Sequence, residues 1–192
     1  MLEEVVNSIT KKMIQEQVVE EEDKELYQYG VRNGIMIVLN WLIVLVLGIC
    51  TGHCVAMIVF TAAYSLLRSY AGGLHMSTHR RCFLFSIPIY IVSAWIISSL
   101  HFSFDFLLGM LICASGILYI IAPIEDIHKP LDATEQKVYG MVVKFFTTTL
   151  SVLSLALNYL QFYHISIGLF WAVALTAMLC LAGKLKRRKS IR

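Results

Sequence analysis

From Val31 to Gly183 the chain is close to a continuous series of apolar runs, near residues 31–50, 52–67, 82–100, 105–122, 141–160 and 165–183. A helix needs about 20 apolar residues to cross the hydrocarbon core of a bilayer, within a range of roughly 17–25. The runs therefore predict an all-α polytopic membrane protein with about six transmembrane helices. Composition agrees. The 192 residues are 58% hydrophobic and only 15% charged, where a soluble domain carries roughly 25% charged residues. The second run, "GHCVAMIVFTAAYSLL", is the shortest and is expected to thin the bilayer locally or to cross it only in part. The link "QFYH" at 161–164 is so short that the last two spans should form a tight hairpin.

Charge gives the expected orientation. With six spans both termini lie on one side, together with the loops 68–81 and 123–140. The 16 Lys and Arg all fall on that side. They stand in the tail (Lys184, Lys186, Arg187, Arg188, Lys189, Arg192), the two loops (Arg68, Arg80, Arg81, Lys129, Lys137), the N-terminal segment (Lys11, Lys12, Lys24) and two span ends (Arg32, Lys144). The positive-inside rule makes this the cytoplasmic side.

One integral-membrane domain is expected over 1–192. Residues 1–29 read as an amphipathic surface segment, 30–183 as the bundle and 184–192 as a polybasic tail. Leu2, Val5, Val6, Ile9 and Met13 share one helical face, with Glu3, Glu4, Lys11, Lys12 and Glu16 on the other. Such a helix lies on the inner membrane surface or docks on the protein itself. The acidic run Glu20–Asp23 reads as a solvated turn. The tail "KLKRRKSIR" reads as an inner-leaflet anchor rather than a nucleic-acid site. The start lacks the basic, apolar and small-residue pattern of a secretory signal, and five cysteines do not suggest a disulfide framework.

The stretch "RSYAGGLHMSTHRRCFLFS", Arg68–Ser86, sets three charges, two histidines and a cysteine between two spans. Cys82 stands where loop becomes helix, after Arg80 and Arg81. A helix N-terminus and nearby cations both favour the nucleophilic thiolate. Cys50, Cys54, Cys113 and Cys180 have no such neighbours and read as packing residues. A nucleophilic Cys needs a base, usually His. His79, three residues before Cys82, is close to it on a continuous helix. His75 is two helical turns away, about 10.5 Å, and reaches Cys82 only if the chain bends back. Gly72 and Gly73 permit such a bend. Spacing alone favours His79 slightly. His75, His79 and Cys82 also have zinc-like spacing, although no Glu follows the first His and the arginines oppose a cation. His53, His101 and His164 fall at the outer loops and His128 in the second inner loop, where each reads as a polar interface residue.

"RSYAGGLH" followed after six residues by Cys resembles the accessory gene regulator B (AgrB) family of bacterial membrane cysteine peptidases. Arg68, Gly73, His75 and Cys82 match the family pattern in residue type and spacing. The chain length, the amphipathic start, the six-span layout and "APIEDIHKPL" at 122–131 are also similar. The resemblance implies a cysteine endopeptidase that removes the C-terminal part of a quorum-sensing propeptide. Cys82 would be the nucleophile and His75 the base, leading through an acyl-enzyme thioester to a thiolactone or lactone ring. It moves the choice of base from His79 to His75. Arg68, Gly72, Gly73, Lys129 and Pro130 would bind substrate or structure the loops, and Glu125 or Asp126 could orient the base. It further implies no metal or other cofactor, a small amphipathic propeptide arriving along the inner leaflet, work as a homodimer and no nucleic-acid partner. Two other readings stand beside it. One is a non-enzymatic peptide exporter or sensor, which should carry polar residues in several spans, whereas these spans offer mainly Asn40 and Asn158. The other is a zinc-dependent membrane hydrolase using His75, His79 and Cys82.

Overall fold

A computed structural model describes residues 2–73, 79–124 and 132–190, with the backbone alone for residues 2, 79–82 and 187–190. Seven α-helices account for most of them: α1 (Leu2–Gln15), α2 (Lys24–Thr51), α3 (Cys54–Ala71), α4 (His79–Ser99), α5 (Phe104–Ile121), α6 (Ala133–Tyr159) and α7 (Tyr163–Ser190). The protein is an all-α membrane protein. Each of the six predicted apolar runs lies within or nearly coincides with one of α2–α7. Five of these helices, α2, α3, α5, α6 and α7, are long and apolar enough to cross a membrane; in α4 the fully described apolar part, Phe83–Ser99, is shorter.

The second run, read as the weakest span, is 18 residues long as a helix because it continues through Arg68 to Ala71. Arg68 sits in the last turn of α3, where a cation meets the negative end of the helix and its unpaired carbonyls. The tail likewise continues α7 as helix to Ser190. The acidic run forms a short, exposed 3-10 turn at Glu21–Asp23.

α7 is the centre of the bundle. Of its most apolar stretch 72% is buried, against 11% for the span that contains α2. Helices α3, α4, α5 and α6 all pack on it. Gly168 lets the backbones of α7 and α3 approach, since a Cβ there would stand 3.0 Å from the Ala56 carbonyl oxygen. Small residues serve helix contacts in this way where lipid removes the hydrophobic drive between helices. The apolar faces of α2 (Ile37, Val38, Leu42, Val46, Ile49) stay exposed, as lipid-facing residues do.

Hydrogen bonds between helices add direction to the packing. Across the α6–α7 hairpin the Ser154 hydroxyl donates to the Ser166 carbonyl and the Ser166 hydroxyl donates to the Ser154 carbonyl, each at 2.8 Å. The Trp171 indole donates to Ser93 Oγ at 2.8 Å and ties α7 to α4. Replacing Ser166 with alanine breaks one of the two reciprocal bonds between these fully buried serines. A loss of about 0.5–1.5 kcal/mol is expected, readable as a lower thermal midpoint in detergent with unchanged helix content.

α1 docks on α2, but on a face shifted from the expected one. Val6 and Thr10 are fully buried, while Val5 and Ile9 are 48% and 40% exposed. The Arg32 guanidinium meets the Glu3 carboxylate at 2.6 Å, and Gln28 donates to Asn7 Oδ1 at 3.0 Å. These polar contacts rotate α1 so that part of its apolar face remains available to lipid.

Candidate functional site

The end of α3 is the most tightly built turn near the charged stretch. Gly72 has φ +69° and Gly73 φ +121°, both in the left-handed half of backbone space that favours glycine. Their conformation is only part of the reason for glycine. A Cβ on Gly72 would collide with the Ile124 carbonyl oxygen. A Cβ on Gly73 would stand 2.7 Å from Arg68 Nη1 and 3.3 Å from the Leu179 carbonyl oxygen. The pair therefore both bends the chain and admits two backbones that a side chain would exclude.

Three elements clasp this turn. The Ile124 N–H donates to the Ala71 carbonyl at 3.0 Å, and Gly72 pairs with Ile124 in a short parallel bridge. Arg68 Nη1 donates to the Gly72 carbonyl at 3.2 Å. From α7 the buried Cys180 thiol lies 3.7 Å from the Ala71 carbonyl oxygen, a weak sulfur contact. The segment leaving α3 toward His75 is thus tied to the segment that leaves α5 toward Lys129 and Pro130. Both charged loops start from one point.

The expected site residues fall as follows. Arg68, Gly72 and Gly73 are brought together in the turn. Cys82 lies in the first turn of α4, which starts at His79, so His79 and Cys82 share a helix at a three-residue spacing; their side chains, like those of Arg80 and Arg81, are outside the described atoms. His75, Glu125, Asp126, His128, Lys129 and Pro130 lie outside the described residues, and with them the bend toward Cys82 and the zinc-like trio. Sequence reasoning missed Ile124, which acts through backbone atoms and carries no residue-type signal. It treated Cys180 as packing; the residue is fully buried and also contacts the turn. Cys50, Cys54, Cys113 and Cys180 are free thiols.

Beyond the second loop, α6 starts on a capping box. The Asp132 carboxylate accepts from the Ala133 N–H at 2.7 Å, while the Glu135 carboxylate accepts from the Asp132 N–H at 3.1 Å. Asp132→Ala removes the cap where the loop carrying Lys129 and Pro130 rejoins the bundle. A loss of about 0.5–2 kcal/mol is expected, detected as faster amide exchange in the first turn of α6.

The family model for accessory gene regulator B matches residues 5–180. The chain belongs to the accessory gene regulator B family. Two relatives from Clostridium perfringens, both named for their likeness to AgrB, extend the match. AgrB-like protein 2 of strain 13 is 28% identical over 144 residues, covering 71% of this chain and 67% of that protein. An AgrB-like protein of strain SM101 is 24% identical over 189 residues, covering 95% and 88%. No solved structure matches the chain. Membership in the AgrB family supports a part in the peptide processing of agr quorum sensing.

Proposed function

We propose that the protein is a membrane cysteine endopeptidase that cuts a quorum-sensing propeptide, with Cys82 as nucleophile and His75 as base. The observation that carries this reading is the family match over residues 5–180, which spans the whole Arg68–Cys82 motif. Two structural features support it. Cys82 stands in the first turn of α4, where the positive end of the helix favours a thiolate. Gly72 and Gly73, which precede His75 in the motif, form a turn fastened to two other elements.

In the proposed reaction His75 takes the Cys82 thiol proton and the sulfur attacks the scissile carbonyl. The C–N bond breaks, the proton passes to the leaving amine, and a thioester joins the N-terminal part of the propeptide to Cys82. A thiol or hydroxyl within that part then attacks the thioester, forming a thiolactone or lactone and freeing Cys82. Holding both groups in one site makes ring closure effectively intramolecular. A water-poor site at the membrane surface protects the thioester from hydrolysis.

In the proposed orientation the termini, the glycine turn and Cys82 face the cytoplasm. The propeptide reaches the site along the inner leaflet, and the protein works as a homodimer.

Trapping the intermediate tests the chemistry. A propeptide whose internal Cys or Ser is replaced by Ala cannot close the ring. Co-expressed with it, the protein should gain the mass of the N-terminal fragment, and hydroxylamine at neutral pH should release that mass. Cleavage without any adduct would sink the thioester route. Cleavage abolished by a chelator would favour the zinc hydrolase, and secretion of uncut peptide would favour the exporter.

A further inference from the structure

Three of the six histidines meet at the opposite end of the bundle from the glycine turn. His53 lies between α2 and α3, His101 between α4 and α5, and His164 at the start of α7. The His53 and His164 rings are stacked with centroids 3.7 Å apart, and His101 sets its ring against His164 at 5.2 Å. His164 Nδ1 lies 2.8 Å from the Ile97 carbonyl oxygen. A carbonyl can only accept, so Nδ1 carries a proton, and the ring caps one of the last carbonyls of α4. A cleft of about 480 Å³, lined by His53, Cys54, Phe162, Tyr163 and His164, opens beside the stack. Three connections far apart in sequence are thereby held by imidazole rings in contact.

We propose that His53, His101 and His164 form a proton-responsive clasp, which holds the three connections together while the stack is largely neutral and loosens when a second ring takes a proton. Two cations at 3.7–5.2 Å repel each other, and little nearby relieves the repulsion. Beside the histidines, the meeting helix ends carry the titratable side chains Cys50, Cys54 and Tyr163. They carry one carboxylate, Asp105 in the first turn of α5, and it forms no ion pair with any of the three among the described residues. No Lys or Arg stands on these ends.

Burial, then the neighbouring His164 and His101, hold the His53 ring below the ordinary histidine value of 6.5. A base with a depressed value binds fewer protons folded than unfolded. The clasp's stability is therefore fully present above about pH 6.5 and is lost as pH falls below it. α7 carries any such change along its length, since His164 lies in its first turn and it packs against the glycine turn through Leu179 and Cys180. In the proposed orientation the clasp faces outward and reads external pH.

Two measurements test this. The first is the thermal midpoint of the full chain in nanodiscs between pH 8.0 and pH 5.5. It is compared for wild type, His53→Phe, which keeps a stacking ring without a charge, and His128→Gln, which removes an unrelated titration. Wild type and His128→Gln should lose about 3–6 °C more than His53→Phe over this range. The second uses wild type alone and stands if His53→Phe does not fold. Amide exchange, corrected for intrinsic pH dependence, should rise about tenfold at residues 52–54 and 160–164 on acidification. An equal pH slope in His53→Phe, or unchanged corrected exchange at those residues, overturns the proposal.

Discussion

Cys82→Ala should abolish release of the propeptide's C-terminal fragment, with a fall in rate on the order of 10⁴–10⁶. Loss of a nucleophile removes the covalent route itself, so what survives is whatever binding and positioning achieve alone. His75→Ala should cost nearly as much, because a nucleophile and its base act as a unit and their losses do not add. The double variant should be no worse than Cys82→Ala alone. His79→Ala decides between the two bases. It shares α4 with Cys82 and is the base that spacing favours, yet the motif position belongs to His75. Near wild-type cleavage in His79→Ala with none in His75→Ala is the expected pattern. The measurement is the mass-resolved yield of fragment per hour in cells making equal amounts of each variant. Cleavage persisting in Cys82→Ala would end the peptidase reading.

The second large effect is expected at Gly72. Alanine there must adopt φ +69° and must also displace the Ile124 carbonyl, a backbone atom that cannot swing aside. Left-handed strain costs about 1–3 kcal/mol and overpacking typically 1–3 kcal/mol more. Together they suffice to open the Ala71–Ile124 hydrogen bond and release both charged loops. Gly72→Ala should therefore lower the thermal midpoint by several degrees and reduce cleavage at least tenfold. Gly73→Ala should be milder on steric grounds, because its nearest obstacle is the end of the flexible Arg68 side chain, with Leu179 backbone behind it. Gly109→Ala and Gly116→Ala are the controls. Both sit inside α5 with open space around the added methyl, so their midpoints should be unchanged or higher. Equal effects at Gly72 and Gly116 would show that the clasp at the α3 end contributes nothing.

These two positions show how legible the site was. The motif letters brought Arg68, Gly72, Gly73, His75 and Cys82 forward, and family membership supports the processing role they suggest. The glycines were read as permitting a bend of His75 back to Cys82; they do take left-handed φ values, while the bend itself lies outside the described residues. That they also admit Ile124 and Leu179 was invisible, because those partners are backbone atoms more than 50 residues away. Helix ends were misjudged for a related reason. The apolar run from 52 to 67 stops before Arg68, but α3 does not, because its last turn gains from a cation that hydropathy counts as a break. On α1 the apolar pattern put Val5, Val6 and Ile9 on one face, whereas Val6 is buried beside Thr10 and Val5 and Ile9 stay partly exposed, since Glu3 and Asn7 bind α2.

That this is an all-α membrane protein follows from the apolar runs alone, because a helix satisfies its backbone within one segment and apolar length then decides whether it can span. The sequence also named the charged stretch where chemistry belongs. That the α3 turn is fastened to Ile124 at the start of the other charged loop, that α7 is the central helix, and that His53, His101 and His164 meet in one cluster emerged with the packing of the helices. Those facts depend on which helices pack together, and contacts between distant residues follow from shape and close approach rather than from any periodicity along the chain.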